Sequence, residues 1–494
     1  MQALLNIRTK FCATASMTAM TAMTAMAVIL TGCASLDLVP ESAQVEPQAV
    51  AAADVPPPPD WVVPAPDALP TTDWVRAFPD PILIELVDEA LRENTDIGAA
   101  YARLEASIAL EKISRADRVP SVRGNVDVSR SEFANEFLSD NTNLGVGVSA
   151  SWEPDLWGRI ADRIDATELA SEAAASDIAG ARLSITGQVA QNWFSLIEAR
   201  LLVDLSEREI ETQGRALRLT QRRFESGLSG SEDVRLARSS VAQAQALQAS
   251  RRQNLSILSR QLEVLLTRYP ANALEAASDL PELPPLVGAG APTYILTQRP
   301  DLIAAERRLA EQGFEIDLAK KALRPSLSLS GSTSGSGGGL ESLFDIDALV
   351  ANLASNLTAP IFQGGRLRAN VEVQDAILEQ QLQTYIGTVL QAYFDVENAL
   401  EGETRLEESE KALRIAVDES LEAEKRLELR YTEGLATILQ LLDAQTRRLS
   451  AEGQLISARA ERLQNRVRLH LALGGGAYGD IPPDAFPAFL RDQG

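Results

Sequence analysis

The segment Asn143-Leu144-Gly145-Val146-Gly147-Val148-Ser149-Ala150-Ser151-Trp152-Glu153-Pro154-Asp155-Leu156-Trp157-Gly158-Arg159 changes character twice. At first apolar residues alternate with small polar ones. Leu144, Val146, Val148, Ala150 and Trp152 share one parity, and Asn143, Gly145, Gly147, Ser149 and Ser151 share the other. A period of two belongs to a strand with two unlike faces. Pro154 and Gly158 break the alternation, and no further proline occurs until Pro270. A strand thus passes through a Pro/Gly junction directly into a very long helical stretch.

The same order of parts is written twice. Residues 96–100 align with 301–305, and Pro120-Ser121-Val122 with Pro325-Ser326-Leu327, both at a spacing of 205. Gly158-Arg159 matches Gly365-Arg366, and Arg223-Phe224-Glu225-Ser226-Gly227 matches Arg430-Tyr431-Thr432-Glu433-Gly434, both at 207. Four landmarks in one order make the chain a tandem duplication. The first copy spans 80–270, with a strand hairpin at 120–153 and a helical hairpin at 155–268. A linker, 271–292, leads to the second copy, 293–473, with its strand hairpin at 325–361 and helical hairpin at 366–473.

All four alternating segments follow one rule. Val122, Gly124, Val126 and Val128 oppose Ser121, Arg123, Asn125 and Asp127; Leu327 and Leu329 oppose Ser326, Ser328 and Ser330; Leu353, Leu357 and Ile361 oppose Asn352, Asn356 and Thr358. Runs of about ten residues with one apolar and one polar face suit tilted membrane strands, apolar side to lipid and polar side to water. A soluble sheet has the same period. The small, strongly polar second face and the hairpin loops rich in Gly, Ser and Asn, the stretch 331–339 especially, favour a water-filled interior over a packed core.

Between Pro154 and Pro270, and again between Pro360 and Pro482, one turn signal stands out: Gly227-Leu228-Ser229-Gly230 and Gly434-Leu435-Ala436. A helical limb of about 65 residues is on the order of 100 Å long. Val234, Ala237, Val241, Ala244, Leu255, Leu258, Leu262 and Leu265 keep the three–four spacing of a coiled-coil seam, while Leu236 and Leu247 lie off it. Helices that touch neighbours on two sides suit a closed ring of helices; an antiparallel coiled-coil stalk is the plainer alternative.

Arg8 and Lys10, then an uncharged stretch ending in Leu30-Thr31-Gly32-Cys33, read as a secretory signal (1–32) closed by a lipobox. Cys33 is the expected lipidation site, the covalent lipid being the one prosthetic group, and residues 33–79, rich in Pro, Ala and Val, form an extended tether. A tail, 474–494, closes the chain. With Cys12 lost in the signal, Cys33 has no disulfide partner. A net charge of −23 argues against a nucleic-acid partner. His470 is the only histidine and is read as a surface residue; no triad, metal cluster or P-loop is legible, so the chain is not read as an enzyme.

Four strands cannot close a membrane barrel, and open edges are not tolerated in lipid. The chain must therefore assemble, and twelve or sixteen strands leave a passage where eight are filled by side chains. A lipid-anchored barrel continued by a long helical tube crosses an outer membrane and the periplasm below it.

Cys33, the segment from Trp152 to Arg159, Arg299-Pro300-Asp301-Leu302 with Ala305-Glu306, and Arg430-Tyr431 through Gly434 to Leu442-Asp443-Ala444-Gln445 together resemble the TolC/OprM family of outer-membrane efflux proteins. The likeness covers essentially the whole mature chain. It implies an α plus membrane β-barrel fold: a homotrimer with a 12-stranded barrel continued by an α-helical barrel. It also implies a periplasmic adaptor and an inner-membrane resistance-nodulation-division transporter as partners, with passive conduction of small molecules. By the same resemblance the turns at Gly227, Gly230 and Gly434 are docking tips. Asp233, Leu439 and Asp443 would narrow the entrance, and Tyr431 would hold it closed. Two departures from the family, Ala436 for an arginine and Gln440 for an aspartate in some members, imply a differently built lock. A type I secretion channel shares this architecture, and a pore-free periplasmic adaptor shares the coiled coils.

Overall fold

The computed structural model describes residues 56–66, 73–131, 141–337 and 350–475; the signal segment, Cys33, much of the tether, the final tail and the tips of both strand hairpins lie outside these. Four strands, β1 (Ser121–Ser131), β2 (Asn141–Trp152), β3 (Ser326–Gly337) and β4 (Val350–Thr358), form one antiparallel sheet in that order. Val122 faces Ala150, Gly124 faces Val148 and Val126 faces Val146 across β1 and β2, so the two apolar parities share one side. Trp152 opposite Leu329 and Leu327 opposite Leu357 carry that side across the sheet. The other side brings Asn125, Gly147 and Ser334 into line. A Cβ on Gly147 would stand 2.9 Å from Asn125 Oδ1 and 3.3 Å from Ser334 Cβ, so a side chain here would require both neighbours to shift. Among the described residues β1 and β4 are each paired along one edge only.

The helices are α1 (Pro81–Glu93), α2 (Thr95–Ala116), α3 (Arg159–Glu225), α4 (Ser231–Leu265), α5 (Pro300–Lys321), α6 (Arg366–Thr432) and α7 (Ile438–Ala472). Two of them, α3 and α6, run for 67 residues each, or about 100 Å. Both start from a left-handed glycine, Gly158 (φ 73°) or Gly365 (φ 86°), where the chain turns from strand to helix. Their returning partners α4 and α7 have 35 residues, about half that length. The half left over is filled by α2 against α3 and by α5 between α3 and α6. Two four-helix arcs thus share two spars: α2-α3-α5-α6 beside the sheet, and α4-α3-α7-α6 at the far end.

At mid-height the short helices abut end to end. Asn94 caps α2, its Oδ1 accepting from the amides of Asp96 (2.9 Å) and Ile97 (3.3 Å), while its Nδ2 donates to Leu265 O at the end of α4 (2.8 Å). In the second copy Arg299 makes the link between helix ends, without a side-chain cap on α5. Its Nη1 donates to Ala472 O at the end of α7 (3.2 Å), and its other contacts are Asp301 (2.7 Å) and Asp395 (3.2 Å). The Arg-Pro-Asp-Leu motif is therefore a helix-to-helix splice, with Pro300 opening α5 where no amide hydrogen is needed.

The main core also lies at mid-height, where Trp193, Phe194 and Ile197 of α3 meet Leu83 and Leu86 of α1 and Leu463 and Val467 of α7. Trp193 Nε1 donates to Asp80 Oδ2 (2.7 Å), and Asp80 Oδ1 caps α1.

Four expectations change here. Residues 331–337, read as the start of a loop, continue β3 and pair with β2, because small residues with backbone bonds on both sides extend the ladder without needing side-chain packing. The described part of the tether is docked: Trp61 Nε1 donates to Gly290 O (2.9 Å), the Val62 amide to Glu397 (2.8 Å), and Trp74 and Phe78 are core residues. The linker is packed as well, with Leu280 and Ala289 buried in two different core clusters. Glu263 clasps it by accepting from the amides of Asn272, Ala273 and Leu274; burial works to raise this carboxyl, yet the three amides hold it below the usual range. His470 is 2% exposed and stacks on Trp74 at 5.2 Å, because the N-terminal strap covers the helix face that the bare sequence leaves open.

Candidate functional site at the helix tips

At the far end, α3 turns into α4 and α6 into α7. Both turns close by the same pair of bonds: the Gly227 amide donates to Phe224 O (2.9 Å) and that of Leu228 to Arg223 O (2.8 Å), matched by Gly434 to Tyr431 O (3.1 Å) and Leu435 to Arg430 O (2.7 Å). This paired closure requires a left-handed residue, and Gly227 (φ 72°) and Gly434 (φ 79°) supply it. The leucine after each glycine points outward. Gly230 precedes α4 with no side-chain cap, and Glu232 and Asp233 in the first turn complement the helix dipole. Thr437 and Gln440 form a reciprocal capping box at the start of α7, so Gln440 is committed to the helix end.

Leu439 and Asp443, one helical turn apart, lie on the same open face of α7, and Leu439 is 64% exposed. Asp443 accepts from Arg447 Nε (2.8 Å), also on that face. Asp233 is half-buried at the other turn.

Tyr431 is placed differently. It is 2% exposed, packed with Ala216, Ile438, Leu441 and Leu442, and cannot narrow a passage with its own ring. Instead it joins the two copies. Its Oη lies 2.9 Å from Thr220 Oγ1 on α3, Arg223 stacks 5.0 Å from the ring centre, and Arg223 Nη1 donates to Tyr431 O (2.9 Å). Thr220 and Arg223 escape a reading of the sequence, although Arg223 opens a repeat landmark. Its counterpart Arg430 bonds to its own turn at Leu435 O (3.2 Å), so equal positions in the two copies do unequal work.

Further up, α6 and α7 are laced by buried ion pairs. Glu403 meets Arg462 (3.1 Å) and Arg466 (2.9 Å), and Glu410 meets Arg462 (2.7 Å). These pairs, with the tyrosine joint below them, hold the hairpin together while the face bearing Leu439 and Asp443 stays open.

A sheet with two open edges, polar on one side and apolar on the other, set on arcs of helices some 100 Å long, defines a subunit of a membrane-to-periplasm conduit. The chain belongs to the outer membrane efflux protein family, whose sequence profile matches residues 86–268 and 291–475. The two matched segments begin 205 and end 207 residues apart, the spacings of the internal repeat.

Relatives include outer membrane protein OprJ of Pseudomonas aeruginosa, 31% identical over 408 residues (80% of this chain, 85% of OprJ). The toluene efflux pump outer membrane protein TtgI of Pseudomonas putida is 29% identical over 410 residues (80% and 86%). Among solved structures, the outer-membrane channel OprN superposes with a TM-score of 0.78 at 26% identity, covering 89% of this chain and 99% of OprN. The open state of the Neisseria gonorrhoeae MtrE outer membrane channel gives 0.73 at 29% identity, covering 85% and 97%. The protein is an outer-membrane channel component of an efflux pump.

Proposed function

We propose that three copies close into a ring with a 12-stranded barrel, anchored by a lipid on Cys33, and conduct small molecules passively outward. A periplasmic adaptor and an inner-membrane resistance-nodulation-division transporter feed the conduit at the tips around Gly227, Gly230 and Gly434. Asp233, Leu439 and Asp443 line its narrow entrance. The observation that carries this reading is the pair of unlike edges on each subunit.

At one edge β1 lacks an outer partner, and α4 shows Leu236, Leu247, Ile257 and Val264; at the other stand β4 and the exposed Val373, Leu390, Phe394, Ile415 and Leu429 of α6. The charges are complementary too: α4 carries five arginines against three acidic residues, α6 fifteen acidic residues against eight basic ones. Unlike edges join head to tail, and such contacts end only when a ring closes. In the bilayer closure is obligatory, since each orphan backbone group costs several kcal/mol.

Planar-bilayer conductance of the detergent-purified Cys33→Ser protein, with its oligomeric mass, tests this. Discrete channels from a trimer are the expected result. A detergent-independent monomer without conductance would overturn it.

A further inference from the structure

A cavity of about 760 Å³ opens where three of the four strand–helix junctions of the sheet base converge: 153–159, 321–327 and 358–367. Its rim is amphiphilic. Ile361 and Phe362 are 97% and 86% exposed just beyond the end of β4, Ile361 in the parity of Leu353 and Leu357. Arg324 and Arg366 stand on the same cavity.

Three of the six charged side chains on the cavity are in ion pairs, Arg159 with Glu153 (2.8 Å) and Lys321 with Asp162 (2.5 Å), and Asp155 accepts from the Ala161 amide (2.9 Å). The other two guanidinium groups differ. Among the described residues Arg324 lies over the Trp157 ring (5.4 Å) without a carboxylate partner, and Arg366 donates to the amide oxygen of Gln363 (2.5 Å). Trp157 is itself pinned by its Nε1 bond to Pro325 O (2.6 Å), so the platform under Arg324 is fixed.

Two guanidinium groups short of an anion, beside exposed aliphatic and aromatic groups at the foot of a membrane sheet, have the composition of a lipid headgroup site. We propose that this cavity holds an anionic phospholipid of the periplasmic leaflet, its phosphate between Arg324 and Arg366 and its acyl chains along Phe362, Ile361 and Leu357. The proposal rests on the barrel reading above. It gives the sheet base a specific lipid contact independent of the anchor on Cys33.

The test is native mass spectrometry of the delipidated, detergent-solubilised Cys33→Ser protein titrated with phosphatidylglycerol or phosphatidylcholine. The wild-type protein should retain phosphatidylglycerol and shed phosphatidylcholine. Retention should weaken about tenfold for each guanidinium lost in Arg324→Gln and Arg366→Gln, and should fall in Phe362→Ser with both arginines intact. Equal retention of both lipids, unchanged retention in the arginine variants, or displacement by millimolar inorganic phosphate alone would overturn it. So would loss of the oligomer in both arginine variants, which would mean that a neighbouring copy fills the cavity. The same spectra and parallel conductance report whether the ring itself persists, separating failure of the lipid site from failure of the channel reading.

Discussion

Single residues show where a linear reading stops. The turn glycines were legible because the left-handed conformation has a residue signature, and Gly227 and Gly434 both adopt it. His470 was not, since its burial depends on Trp74, nearly four hundred positions away. The burial, reinforced by nearby Arg466, pushes the imidazole down to about 3. An unfolded chain protonates this histidine below its ordinary 6.5, whereas the folded one refuses the proton until near 3. Stability therefore falls as pH drops across that window and is untouched above it. His470→Phe, which keeps the stack on Trp74, should flatten the acid limb. The thermal midpoint of the detergent-solubilised protein at pH 7 and pH 4 measures this. An unchanged difference between the two would assign the acid sensitivity to other groups.

Among elements, length and order came through well. Proline-free stretches gave the long hairpins, and the three–four seam of α4 is the face packed on α3, with Ala237, Ala244 and Leu262 buried. Leu236 and Leu247, off that seam, remain exposed. What the pattern could not show was that each returning limb stops halfway. No helix-breaking residue marks the splice in α3 or α6, because those helices run through it; the splice is a contact between chain segments far apart in sequence. Asn94 serves two helix ends there at once. Asn94→Ala should cost about 1–2 kcal/mol, the range of a lost helix cap, measured by chemical denaturation in detergent. A value no larger than that of an ordinary exposed substitution would mean that packing alone holds the splice.

For the whole molecule, the strand count and the chemistry of lipid alone call for an assembly, and the unlike edges of the folded subunit support the same ring. The entrance was less legible. Leu439 and Asp443 share an open face, and Tyr431 with its partners Thr220 and Arg223 lies inside the wall. On this assignment the combined Asp233→Ala and Asp443→Ala variant should show higher single-channel conductance or weaker cation preference, while the Tyr431 joint stays intact. Wild-type values for both would remove these two carboxylates from the constriction.

Every passage into, between and out of the two copies occurs at mid-height. Trp74 stacks on His470, a Cβ on Gly475 would lie 3.1 Å from Trp74 Nε1, and the linker packs into both core clusters. Each copy thus leaves one level and returns to it, a self-contained stave. A ring of six single staves and a ring of three double ones have the same wall. Fusing two staves costs no new geometry and releases them from identity. The duplication leaves Arg223 and Arg430, which hold the same place in the two staves, free to take different tasks.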